Sequence, residues 1–149
     1  MRVTILVLVM SLFFLSCNKD KYTTAPQIEY KSISPTAFEN LPDSPAPEIT
    51  FTVTDAEGDI GITKDDTARI FIKNLFSQMV DSIDFPDISE ATRKNLKAEV
   101  TVKIGPLTGC LDPTDPPHID TMAFEVYVKD FAKNQSNTFT TQSVIEQCR

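Results

Sequence analysis

Between Leu96 and Ile104 the chain reads LKAEVTVKI: Leu96, Ala98, Val100, Val102 and Ile104 stand at every second position, with Lys97, Glu99, Thr101 and Lys103 between them. A helix turns by about 100° per residue and would scatter those five apolar side chains around its surface, whereas a strand collects them on one face. The same alternation recurs in EITFTVTD, where Ile49, Phe51 and Val53 oppose Thr50, Thr52 and Thr54, and in MAFEVYVKD, where Met122, Phe124, Val126 and Val128 oppose Ala123, Glu125, Tyr127 and Lys129. Shorter runs of the kind lie at IEYKSI, ARIFIK, VDSIDF and FTTQSVI. About seven short strands, with ten prolines crowded between them, predict an all-β chain folded as an immunoglobulin-like antiparallel β-sandwich. Pro42, Pro45 and Pro47 mark one extended loop, and the segment from Gly105 to Pro117 marks another. Only SEATRKN has helical leanings, with Ser89 placed to cap a turn or two.

At 149 residues the chain has room for one domain with a core of its own. Its formal charge is −7, with no cluster of Lys or Arg among aromatics, which argues against nucleic acid as a partner. The start of the chain is different in kind. Arg2 precedes an apolar run from Val3 to Leu15 that is too short for a spanning helix and has the form of a secretory signal.

That run ends Phe14-Leu15-Ser16-Cys17, which resembles a bacterial lipobox of the relaxed kind found in Bacteroidota lipoproteins. The resemblance implies cleavage before Cys17, attachment of acyl chains to its sulfur and loss of Arg2, which makes the charge −8. Two acyl chains hold a protein on a bilayer where one holds it only marginally. The expected organisation is a signal peptide at residues 1–16, a lipidated cysteine and polar tether at 17–27, and the sandwich at 28–149. Asn18 stands where enteric lipoproteins kept at the inner membrane carry aspartate. The expected address is therefore the cell envelope, on the outer membrane, with its face left open.

A second resemblance lies within the domain. ITFTVTDAEGDIG and VYVKDFAKNQSNTFTT are similar to two signatures of small Ig-like domains in uncharacterised Bacteroidota lipoproteins, a strand followed by D-x-D-G-D-x-G and a strand followed by D-R-A-G-N-x-S-N. Glu57 replaces an aspartate of the first, and Phe131 and Lys133 replace the arginine and glycine of the second. A left-handed backbone is harder for Lys133 than for glycine, and Asn134 tolerates one better. The resemblance implies a fold and an address but no activity.

Asp55, Glu57 and Asp59 alternate along the first of these loops, and Asp130 ends the strand of the second. Crowded oxygen ligands suit Ca²⁺, which takes about six to eight of them. The other reading is an acidic turn, with Gly58 and Gly61 in the left-handed region and the aspartates bonded back to the backbone. Cys110 and Cys148 remain after acylation of Cys17, and in an exported protein an even pair is expected to form a disulfide, two free thiols being the alternative. His118 reads as a loop histidine without a metal-binding or catalytic partner. The pairs Asp65–Asp66 and Asp112–Asp115 have the residue type for glycoside hydrolysis but lie in short polar loops. No nucleophile elbow or phosphate-binding loop occurs, so no enzymatic activity is expected. The expected role is a non-catalytic binding or structural module partnered by an envelope protein. Glycan capture is the rival, weakened by the absence of tryptophan.

Overall fold

A computed structural model describes residues 21–62, 67–87, 94–110, 112 and 117–149. The signal segment, Cys17, Ser89 and its helical turn, and Asp65, Asp66 and Asp115 lie outside the described residues. Among these residues ten strands form: β1 (Gln27–Ser34), β2 (Ala37–Glu39), β3 (Glu48–Asp55), β4 (Arg69–Asn74), β5 (Val80–Asp84), β6 (Leu96–Lys103), β7 (His118–Met122), β8 (Phe124–Lys129), β9 (Phe139–Thr140) and β10 (Val144–Cys148). No α-helix occurs among the described residues, only a single 3₁₀ turn at Gly105–Leu107.

The sheets run β1-β3-β6, β5-β4-β8-β9 and β2-β10-β7. The first two are the faces of the sandwich, and the alternation read in the sequence is the one that packs them. Ile49, Phe51 and Val53 of β3 are fully buried, as are Phe124, Val126 and Val128 of β8. Between the faces, Phe139 lies 5.5 Å from Tyr30 and 5.7 Å from Phe51, ring centre to ring centre. Such a tilted aromatic seam adds directional contact to simple burial.

Ten strands rather than seven arise because FTTQSVI divides into β9 and β10, and because β2 and most of β7 lie outside the runs that alternation marks in the sequence. Ser34–Pro35 separates β1 from β2, Ala123 separates β7 from β8, and residues 141–143 separate β9 from β10. Each interruption lets the chain change partner. β8 pairs with β4 while β7 pairs with β10, and β10 also takes β2 as a parallel neighbour, the one departure among the described residues from an antiparallel pattern. A proline cannot donate to a ladder, so Pro35 is a natural point for a strand to leave one sheet for another.

Register fixes the two ends of the molecule. Glu48 pairs with Lys103 at one end of β3 and Asp55 with Leu96 at the other. The disulfide-bearing loop follows Lys103, and the acidic loop follows Asp55. Residues 21–26, expected to be free tether, lie along the acidic end instead: the Ala56 N–H donates to the Thr23 carbonyl at 3.1 Å and the Lys21 N–H to Asn95 Oδ1 at 2.8 Å.

Candidate metal centre

Asp55 ends β3 at a fully buried position, because the strand continues inward past its last apolar residue. The chain then reverses through Gly58 at φ 72° and Gly61 at φ 124°, left-handed values that glycine adopts without steric penalty. This reversal turns Asp59 back toward Asp55. On the facing sheet, β8 delivers the fully buried Asp130 to the same end. The Phe131 N–H donates to the Asp59 carbonyl at 3.0 Å and ties the two loops together.

One carboxylate oxygen from each of Asp55, Asp59 and Asp130 lies within 4.8 Å of the others. Glu57, the fourth expected ligand, is not in this group. Its side chain is exposed, because the alternation of β3 ends with the strand and the turn at Gly58 sends residue 57 outward. What it contributes is its backbone N–H, hydrogen-bonded to Asp55.

Backbone donors satisfy only part of the cluster. The Gly58 N–H donates to Asp55 Oδ1. The Asn134 N–H donates to Asp130 Oδ1 at 2.7 Å and the Asn134 side-chain amide to Asp130 Oδ2 at 2.9 Å. Asp55 Oδ2 and Asp59 Oδ1 are buried with no hydrogen-bond partner. Among the described residues no Lys, Arg or His forms an ion pair with any of the three. Two like charges 4.8 Å apart repel by about 3.5 kcal/mol at an effective dielectric of about 20. Burial, with the charges of Asp59 and Asp130 added, pushes the Asp55 carboxyl up to about 6 against the pull of the Gly58 and Glu57 N–H groups. Asp130 is also raised, by burial first and by Asp59, against its bonds from Asn134. The donor set is oxygen only, which is the chemistry of a hard divalent cation.

The second signature has a structural role that its residue types foreshadow. Ser136 Oγ accepts from the Val128 N–H at 2.9 Å, and Asn137 clasps Ile28 of β1 through Ile28 N–H to Oδ1 at 2.7 Å and Nδ2 to the Ile28 carbonyl at 2.9 Å. The left-handed residue in this hairpin is Lys133, at φ 70°, not Asn134. Asn134 is committed to Asp130 through both its amides, so the strain falls on its neighbour.

At the opposite end, Cys110 and Cys148 are joined, as expected, by a disulfide that fastens the proline-rich loop to β10. His118 opens β7 rather than lying in a loop, half-buried, with Nε2 3.5 Å from Asp120 Oδ2. These four side chains gather closely, but their sulfurs are bonded to each other and offer no thiolate to a metal. Beside them Glu146 sits at an inward position of β10, 1% exposed, accepting from the Gly109 N–H at 3.0 Å, with its pKa raised by burial and by Asp120.

A third feature lies on the outer face of β4 and β8. Phe71 and Tyr127 are register partners whose rings stack at 4.8 Å and 6°, with Lys129 Nζ 5.4 Å from the centre of the Phe71 ring. Thr67, Arg69, Phe71, Lys129, Asp130 and Lys133 line a cleft of about 260 Å³ there. The alternation of β4 and β8 shows which residues face outward, but their side-by-side register is a tertiary result. Neither a family model nor a curated protein matches the chain.

Proposed function

We propose that this protein is a lipid-anchored, non-catalytic binding module of the cell envelope, presenting the outer face of β4 and β8 to another envelope molecule. The observation that carries the reading is the cleft beside the Phe71–Tyr127 stack. On a chain of net charge −7, three cations, Arg69, Lys129 and Lys133, converge on one aromatic surface. Lys133 holds a left-handed backbone that glycine would adopt more easily, and a strained residue at a cleft fits a side chain retained for contact. The lipobox-like Phe14-Leu15-Ser16-Cys17 supports the anchor, and the Cys110–Cys148 disulfide is in keeping with an oxidising compartment outside the cytoplasm. With residues 21–26 lying on the domain, a lipid on Cys17 would hold the acidic end near the bilayer and point the disulfide end away.

A photo-crosslinker at position 71, in cells, is expected to capture one dominant envelope protein. Capture of many proteins at low yield would remove the reading. A second reading is an anionic glycan, favoured by the stacked rings and the positive lining of the cleft. Retardation of the protein in gels containing a uronic-acid polymer, lost on Phe71→Ala, would establish it in place of the protein partner. For the anchor, Cys17→Ala is expected to block processing and to move the chain out of the membrane fraction. Unchanged partitioning would refute lipidation.

A further inference from the structure

The acidic end contains a pocket of negative charge that the binding reading does not use. We propose that Asp55, Asp59 and Asp130 form a Ca²⁺ site that joins the two faces of the sandwich where the chain enters the domain. Three observations carry this independently of the membrane anchor. Three carboxylates, two from the turn that ends β3 and one from the end of β8 on the facing sheet, place an oxygen each within 4.8 Å of the others. Asp55, at 0% exposure, and Asp59 keep an oxygen with no hydrogen-bond partner, although buried carboxylate oxygens are ordinarily satisfied. No cationic side chain among the described residues forms an ion pair with any of the three.

Oxygen-only donors exclude the preferences of zinc and copper for nitrogen and sulfur. Ca²⁺ is favoured over Mg²⁺ because loop carboxylates of uneven spacing suit its flexible coordination, whereas Mg²⁺ demands a near-ideal octahedron and keeps its own water. Backbone carbonyls and water complete the shell. The ion would act on more than its ligands. Asp55 adjoins Ala56, whose N–H holds Thr23 and whose carbonyl accepts from the Asn95 N–H at 2.9 Å. Fixing Asp55 therefore fixes the strip at residues 21–26 against the domain, so the site sets how the entering chain meets the sandwich.

The test is calorimetric titration of the full chain in detergent with CaCl₂ and with MgCl₂, and melting in Ca²⁺ and in chelator. The expected result is one Ca²⁺ per chain, bound at least tenfold more tightly than Mg²⁺. A hundredfold excess over Kd should raise the melting temperature by about 10 °C. Asp55→Asn keeps an acceptor for Gly58 and should fold, yet lose at least a hundredfold in Ca²⁺ affinity. Asp59→Asn gives the same reading from a less buried position should Asp55→Asn fail to fold. Glu57→Gln should bind as wild type does. No bound Ca²⁺ at millimolar concentration, Ca²⁺ binding by Asp59→Asn as tight as wild type, or an equal loss in Glu57→Gln would overturn the assignment.

Discussion

The two ends of this sandwich solve the same problem in opposite ways. Both must hold loops that leave one sheet and reach another. The far end does so with a covalent bond, Cys110 to Cys148, backed by the buried Glu146 and its bond from Gly109. The end where the chain enters has no such bond and gathers three carboxylates instead. A disulfide works chiefly by restricting the unfolded chain and is indifferent to pH and ions, whereas a carboxylate cluster stabilises only when something offsets its charge. One end is therefore permanently closed and the other is conditional.

The largest expected effect is at the covalent end. A sequence separation of 38 residues gives the bridge a loop-closure contribution of about 4 kcal/mol. Cys110→Ser with Cys148→Ser should lower the unfolding free energy by about that amount in urea, with no change in the response to Ca²⁺. A coupled loss of both would show that the ends are not independent.

Next comes acidity at the other end, in chelator. Asp55 has its folded pKa raised from 3.8 to about 6, so between those values the folded chain holds more protons than the unfolded one. Stability from this group is therefore greatest below about pH 4, falls as pH rises to about 6 and is level above, a loss of about 2–3 kcal/mol. Asp55→Asn should remove that slope and exceed the metal-free wild type in stability at pH 7.5. Parallel pH profiles for the two proteins would contradict the assigned cause.

Lys133→Gly should stabilise the fold by up to about 1 kcal/mol by relieving the left-handed strain, and should weaken the binding proposed for the adjoining cleft. The smallest effect is expected at Glu146. Glu146→Gln keeps an acceptor for Gly109 and removes a charge that burial disfavours, so unfolding in urea should change by about 0.5 kcal/mol or less, with Ca²⁺ binding intact. That result would sharpen the contrast, since the equivalent exchange at Asp55 is expected to weaken the ion response at least a hundredfold.

Much of this was legible in the residues. Period-two alternation in β3, β6 and β8 marked both the strands and their buried faces, because a strand with one buried face must place its apolar side chains that way. Gly58 and Gly61 announced the turn that brings Asp59 back. The limits are equally specific. Glu57 continued the alternation on paper but fell outside the cluster, since the period belongs to the strand and lapses at the turn. The left-handed site stays at Lys133, where the signature has glycine, although Asn134 would tolerate it better, because the Asn134 amides are held by Asp130, a contact no local preference reveals. Glu146 did carry a signal, as a polar residue at an inward position between Val144 and Cys148, and its burial follows from that parity.

The linear chain by itself determined the all-β class, the inward residues of each long strand and the pair of cysteines available for a bridge, because these follow from local periodicity and composition. Only the tertiary structure decided that β2 and β7 form on either side of β10, that Asp130 meets Asp55 and Asp59, and that Phe71 stacks on Tyr127. Those facts depend on which strand lies beside which and in what register. Register is set by the packing of both sheets at once, so no segment carries it alone.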